Sequence, residues 1–337
     1  MQRLKFYMIK WFFGAPKTGG DRVFMEIYNS IKDVPEIEVI LIEKFTFMRS
    51  PNKLTLLFNF IYNNLKKNLY ISKLVREGFE VYAGSPVGTF EYQQPFPIVS
   101  GGIRGISEKI KQTFRTLIYK ILQLGINNLR IVIYASQYAM ENYRFKKKGL
   151  IEEIILPGML FCTPEINFGN KEDLILTISR ISREKNLEVL ETILDGLSYT
   201  HYLLGFCDDL KYLERLKRKL TKTIIIPNAT EEEKNDLLKR AKILLHTATY
   251  DTAPLVLSEA MANGVIPIAH KSGGSSEIVP MEFLYDDFLS AKKKVSYFLI
   301  NYNRKIGEDL ISMSKKFTVE RFHQNIRESL LRYLKIK

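Results

Sequence analysis

The chain of 337 residues has only two cysteines, Cys162 and Cys207. Two are too few for a disulfide framework, their spacing suits no metal site, and such usage fits a reducing compartment. Proline (12) and glycine (19) are sparse, which excludes collagen and low-complexity disorder. No apolar run approaches the roughly 20 residues that a membrane-spanning helix needs. The best candidate, Leu54 to Leu65, carries three Asn. Lys10 interrupts the apolar stretch behind the basic start, so a first β-strand is expected there rather than the core of a signal peptide. These absences lead to the expectation of a cytoplasmic protein. Acidic residues are also short: 37 Asp+Glu stand against 50 Lys+Arg, a net charge of +13. An acidic partner follows, and nucleic acid, an anionic membrane surface and a phosphorylated small molecule all fit.

What remains is an ordinary globular composition, 46% hydrophobic and 26% charged, in a length that suits two domains. Apolar runs of strand length alternate with helical patterns, the mark of βαβ units and parallel sheets. In the first half, strands are expected over 4–13, 38–42, 79–82, 129–134 and 152–156, with a helix over 21–32. Pro157-Gly158 then opens an irregular linker through Asn170. In the second half, strands are expected over 173–178, 201–204, 223–226, 243–246 and 266–269. Helices are expected over 186–197, 210–220, 231–239 and 254–263, and a last one over 318–334. The predicted fold class is α/β, with two Rossmann-like domains facing across a cleft. Their bounds are 1–157 and 158–310, with a C-terminal segment 311–337 that packs back on the first.

The charge surplus is uneven. Residues 1–157 hold 23 Lys+Arg and 13 Asp+Glu, whereas residues 158–337 hold 27 and 24. Ile103, Ile106, Ile110, Phe114, Leu117, Ile118, Ile121 and Leu124 form one helical stripe, flanked by Arg104, Lys109, Lys111, Arg115 and Lys120. Such a helix packs on its own sheet with a solvated basic face, or lies on anionic lipid, where each basic residue contributes about 1 kcal/mol.

Residues able to do chemistry concentrate in the second half. Arg180 and Lys185 follow the strand over 174–178, where parallel sheets bind ligands, and a guanidinium with an ammonium there can clamp a diphosphate. Pro254 is suited to begin a helix and Gly264 to stop it, so the helix N-terminus offers an anion site. Asp251 precedes that terminus and Glu259 lies inside the helix, two carboxylates suited to accept from sugar hydroxyls and a ribose diol. Gly273 and Gly274 open a further helix, so two helix N-termini are expected to converge on one diphosphate. Gly19 and Gly20 open the first helix, but the pattern is neither a dinucleotide fingerprint nor a P-loop, as no Gly-Lys-Ser/Thr occurs.

Taken together, Leu174 to Val279 resemble the donor domain of glycosyltransferase family 4, retaining enzymes of the GT-B fold. The resemblance is carried by Arg180 and Lys185, by Asp251 and Glu259 separated by seven residues, by Ala260-Met-Ala-Asn-Gly264, and by Gly273-Gly274 running to Glu277-Ile-Val279. It implies that Arg180 and Lys185 hold the diphosphate of a nucleotide sugar, that Glu259 binds the ribose and that Asp251 contacts the transferred sugar. Pro254, Leu255, Gly273 and Gly274 complete the implied donor site, with Pro227 and Asn228 near the base. Gly19, Gly20 and Asp21 resemble the glycine-rich loop of the acceptor domain, and Ala135-Ser136-Gln137-Tyr138 its late small-residue turn. Leu245-His246-Thr247 and Ala269-His270 are similar to mannosyltransferases of lipid-linked oligosaccharide assembly. A hexose of mannose or glucose type and a lipid-linked or polyprenyl-phosphate glycan acceptor are implied, at an anionic membrane surface on the inner face.

Two departures bear on mechanism. Asp251 stands where the family usually has Glu, which shortens the reach by roughly 1.5 Å. No histidine precedes His201; where relatives set a His against the transferred sugar, this chain offers Gln93. An inverting enzyme needs a general base, commonly His. In a retaining enzyme of this type the departing phosphate oxygen takes the acceptor proton, and the requirement is for cations and helix N-termini around the leaving group. No cofactor or metal is then expected, and no Asp-x-Asp occurs near the cleft motifs; Asp208-Asp209 and Asp286-Asp287 are read as surface features. Nucleic acid drops out, since no recognition motif accompanies the charge. The alternative reading is a degenerate relative that binds a nucleotide sugar or a protein partner without turnover.

Overall fold

The computed structural model describes residues 4–9, 19–42, 131–143, 151–158, 168–207, 209–249 and 251–336. In the first half, β1 (Leu4–Ile9) is followed by α1 (Gly19–Ile31) and by β2 (Ile37–Ile42), which pairs with β1 in parallel. A second parallel pair is formed by β3 (Ile131–Tyr134) and β4 (Ile151–Ile154), with α2 (Gln137–Tyr143) between them. The expected strand over 79–82, the basic stripe over 103–124 and Gln93 lie outside the described residues, as does the expected first strand beyond Ile9.

The second half runs β5 (Glu172–Ile178), α3 (Leu190–Leu194), β6 (Thr200–Gly205), α4 (Leu210–Lys219), β7 (Thr223–Pro227) and α5 (Glu231–Arg240). It continues with β8 (Ala241–His246), α6 (Leu255–Ala262), β9 (Ile266–His270), α7 (Ser275–Ile278) and β10 (Leu284–Tyr285). Three helices close the chain, α8 (Phe288–Asn301), α9 (Arg304–Ser314) and α10 (Val319–Ile336). The six strands form one parallel sheet in the order β10-β9-β8-β5-β6-β7. Leu174, Ile175 and Leu176 of β5 and Ile243, Leu244 and Leu245 of β8 are fully buried, as expected of strands covered on both faces. The chain winds outward from β5 to β7 and then returns to β8 on the other flank. That reversal parts the connections at the carboxyl ends of β5 and β8 and opens a crevice there.

The boundaries have local causes. Asp209 accepts from Tyr212 N–H at 3.0 Å to start α4, and Asp287 and Ser290 form a reciprocal capping box at α8. Each expected surface acid pair thus supplies a helix cap. The helix expected over 186–197 is a correction: 3₁₀ turns occupy Arg183–Lys185 and Leu187–Val189, and regular helix is confined to α3. Asn186, in the left-handed region at φ 54°, separates the two turns and breaks the helix. The helices α8 and α9 were not expected. Ala291, Val295 and Leu299 are buried at four-residue spacing, but Leu289 and Ile300 on the same helix are exposed and blur the stripe.

Under the sheet, Thr177 Oγ1 donates to Leu245 O at 3.1 Å and lies 3.0 Å from His201 Nε2, while His201 Nδ1 lies 2.9 Å from Thr223 Oγ1. The single Thr177 proton is spent on Leu245, so Nε2 must carry the ring N–H and Thr223 must donate to Nδ1. Burial pushes the His201 pKa down to about 3, which keeps this bridge neutral. At the far end of the chain, Phe322, Ile326 and Leu330 of α10 pack with Val23, Phe24, Ile27 and Ile31 of α1. His323 Nε2 lies 2.7 Å from Glu26 Oε2 along the same contact. Leu255, at the head of α6, joins this cluster and brings the two halves together beside the crevice.

Candidate active site

The crevice is a cavity of about 430 Å³, within the range of small-molecule sites. Ile178, Ser179, Arg180 and Lys185 line it from the end of β5, Leu204 and Gly205 from β6, Asn228 beyond β7 and His246 from β8. Arg22 and Val23 of α1, Ala135 and Pro157 line it from the first half. Gly205 fits because its backbone crosses that of Ser179: a Cβ there would fall 1.7 Å from Ser179 O. Any side chain would push the β5 and β6 ends apart.

One pole of the cavity is buried. Lys185 Nζ donates to Asp251 Oδ2 at 2.7 Å, and the Asp251 side chain is 9% exposed. Thr247 Oγ1 donates to the Lys185 carbonyl at 2.8 Å and fixes the turn that carries it. Burial pushes the Asp251 carboxyl up, but Lys185, His246 and the Ala253 N–H together outweigh it and hold the group below its ordinary value. His246 Nε2 lies 3.6 Å from Asp251 Oδ2, and burial lowers the His246 pKa to about 4. This pole therefore holds an ion pair and a neutral imidazole at pH 7.

The other pole is wetter and joins the two halves. Arg22 Nη1 and Lys234 Nζ each lie 3.2 Å from Glu259, on Oε1 and Oε2 respectively. Lys234 also meets Glu231 at 2.7 Å, and Arg22 Nη2 donates to the same carboxylate. Burial raises the Glu231 carboxyl, and Lys234 and Arg22 more than reverse that shift. A further tie between the halves is made by Glu277 of α7, which accepts from Gln137 N–H at 2.8 Å and Tyr138 N–H at 3.0 Å, the open end of α2.

The structure thus brings Arg180, Lys185, Asn228, Asp251, Pro254, Leu255 and Glu259 to one cavity. Gly19, Gly20 and Asp21 form the first turn of α1, directly before the cavity residues Arg22 and Val23. The structure adds three details, the first of them a correction of the sequence reading. Pro254 is the N-cap of α6 rather than its first residue, its carbonyl accepting from Leu257 N–H at 3.0 Å. Pro227 ends the edge strand β7 and does not line the cavity, while Asn228, at φ 58°, gives its side-chain oxygen to Cys207 N–H at 3.1 Å. Gly273 and Gly274 also lie off the cavity lining. The Gly274 N–H donates to Asp251 O at 2.8 Å, and a Cβ there would fall 2.0 Å from Thr252 O. This turn thus buttresses the Asp251 loop, and the start of α6 opens on the cavity with no side chain capping it. Arg22, Glu231, Lys234 and His246 were missed. Their local sequence carries no signal, because each takes its meaning from a partner brought in by the fold.

Residues 163–298 match the model of the family described as "Glycosyl transferases group 1". The chain is 27% identical over 154 residues to the sulfoquinovosyl transferase SQD2 of Arabidopsis thaliana, an alignment covering 44% of this chain and 30% of that protein. The chain therefore spans less than half the length of this curated relative. Among solved structures, it resembles a sucrose-phosphate synthase from Thermosynechococcus elongatus, with a TM-score of 0.72 at 14% identity over 99% of this chain and 100% of that one. It also resembles Anabaena HepE, solved with UDP, with a TM-score of 0.71 at 15% identity over 98% and 100% of the two chains. The fold is α/β GT-B.

Proposed function

We propose that the protein is a retaining glycosyltransferase that moves a hexose from a nucleotide-diphosphate sugar to an acceptor. Residues 158–310 hold the donor and residues 1–157 the acceptor, with the segment 311–337 joining them. The observation that carries this reading is the meeting of Arg180, Lys185, Asp251, Glu259 and the uncapped start of α6 in one cavity at the sheet's switch point. Arg180, Lys185 and the α6 N-terminus suit a leaving diphosphate, stabilising charge as it develops. Glu259 accepts from the ribose diol, and Asp251 from the sugar. The bond from the anomeric carbon to the phosphate oxygen breaks, the bond to the acceptor oxygen forms on the same face, and the acceptor proton passes to the departing phosphate. Cations of the chain meet the charge, so the reading requires no divalent metal. The UDP of the HepE structure fits such a donor.

Incubating the protein with UDP-, GDP- and ADP-linked hexoses and a polyprenyl-phosphate-linked glycan tests the proposal. Nucleoside diphosphate release with retained anomeric configuration is expected, with at least a 100-fold loss in Lys185→Ala and Glu259→Ala. A second reading, binding without turnover, is favoured by the engagement of both Asp251 and Glu259 with protein cations. Donor binding with zero release across the panel decides for it.

The acceptor and location belong to the same proposal: a lipid-linked glycan on the inner face of a membrane, with the protein cytoplasmic and peripheral. The support is the surplus of ten positive charges in residues 1–157. Among the described residues no helix is long and apolar enough to cross a membrane. Co-flotation with anionic but not neutral liposomes, weakening with salt, is expected. Equal flotation with both removes the electrostatic argument.

A further inference from the structure

His246 is the last residue of β8, and its side chain is 3% exposed although it lines the cavity. Its Nε2 has no hydrogen-bond partner among the described residues. The nearest polar neighbour, Asp251 Oδ2 at 3.6 Å, is beyond hydrogen-bond reach. A buried ring nitrogen left unpaired is costly, and native proteins keep such a group chiefly where something else completes it. Here the completing group must suit both atoms. An anion is repelled by the Asp251 carboxylate, and Lys185 beside it disfavours a cation. A hydroxyl fits: one oxygen about 2.8 Å from each atom can accept from Nε2–H while donating to Oδ2. Hydroxyls in a fixed stereochemical array are what distinguish one hexose from its epimers.

We propose that His246 Nε2, together with Asp251 Oδ2, reads one hydroxyl of the transferred sugar and thereby sets which hexose the enzyme accepts. This rests on the glycosyltransferase reading above. On that reading Arg180, Lys185, the α6 N-terminus and Glu259 serve the diphosphate and the nucleoside, and the contribution assigned to His246 is to the sugar alone.

The test compares binding of UDP, GDP and ADP with binding of their glucose, mannose and galactose conjugates, by calorimetry, together with kcat/KM for each conjugate. His246→Phe keeps ring volume without a hydrogen bond, and His246→Gln returns an amide near the Nε2 position. The expected result is nucleoside diphosphate affinity within twofold of wild type in both variants. For the preferred sugar conjugate, His246→Phe loses at least tenfold in affinity and kcat/KM, discrimination among epimers collapses, and His246→Gln recovers part of both. Unchanged discrimination in His246→Phe, or equal losses for diphosphates and conjugates, overturns the assignment. If His246→Phe does not fold, the same comparison with His246→Leu, which also removes the hydrogen bond, decides, and unaltered sugar preference there overturns it. Failure of the wild type to bind any nucleoside diphosphate or conjugate instead overturns the glycosyltransferase reading beneath it.

Discussion

The two poles of the cavity hold the same kinds of residue in opposite settings. At one, Lys185 and Asp251 form a buried pair within the second half; at the other, Arg22, Glu231, Lys234 and Glu259 form a cluster between the halves, in which Lys234 and Glu259 are largely buried but Arg22 is 36% and Glu231 63% exposed. Burial makes the first pair costly to break, because either partner alone is an uncompensated charge in a dry site. Exposure makes the contacts of Arg22 and Glu231 in the second cheap to rearrange, because water and salt replace each one lost. The difference assigns them different work. The buried pole is held in place by its own ion pair, and the other pole carries the contacts of Arg22 between the halves.

Removing one member of the buried pair is the severest way to break this contrast. Lys185→Ala is expected to cost about 3–5 kcal/mol of stability in addition to activity, read as a fall in the urea midpoint. A loss below about 1 kcal/mol contradicts the picture of a dry pole. The next effect is acid lability. His201 is neutral in the folded state, with a pKa near 3, and titrates near 6.5 when unfolded. The unfolded state therefore binds more protons in that interval, so stability is full above about pH 6.5 and falls as the pH drops below it. By pH 4.5 the His201 contribution amounts to about 2–3 kcal/mol. Denaturant titrations from pH 7.5 to 4.5 measure it, and His201→Gln should flatten the slope.

A smaller loss, about 1 kcal/mol, is expected for Glu277→Ala, which takes the acceptor from the Gln137 and Tyr138 N–H groups at the start of α2. Because that contact spans the halves, hydrogen exchange at Gln137 and Tyr138 should rise more than exchange within β5. The smallest effect belongs to Arg22→Ala, at most about 1 kcal/mol in 50 mM salt and vanishing in 500 mM. A salt-independent effect of several kcal/mol erases the distinction between the poles.

Legibility in the sequence followed the range of the interaction. The strands β5, β6, β7, β8 and β9 lie within two residues of their apolar runs, because a strand buried on both faces is written in adjacent residues. Asp251 and Glu259 were legible as a spaced pair flanking a helix start. The Gly273-Gly274 turn reads locally as a phosphate cradle; what only the fold shows is that Gly274 also packs against the Thr252 backbone and donates its N–H to Asp251 O. The missed helices α8 and α9 bury narrow stripes beside exposed apolar residues such as Leu289 and Ile300, and so lack the clean periodicity that marks a surface helix.

By itself, the sequence determined the alternation of strands and helices, the surplus of positive charge in the first half, and four of the charged residues of the cavity, Arg180, Lys185, Asp251 and Glu259. Only the tertiary structure decided how they are paired. Arg22 meets Glu259 across 237 residues and Gln137 meets Glu277 across 140, contacts that neither periodicity nor spacing can announce. Burial then ranks them: desolvation makes the Lys185–Asp251 pair costly to break and leaves His246 Nε2 without a hydrogen-bond partner among the described residues, while water reaches Arg22 and Glu231.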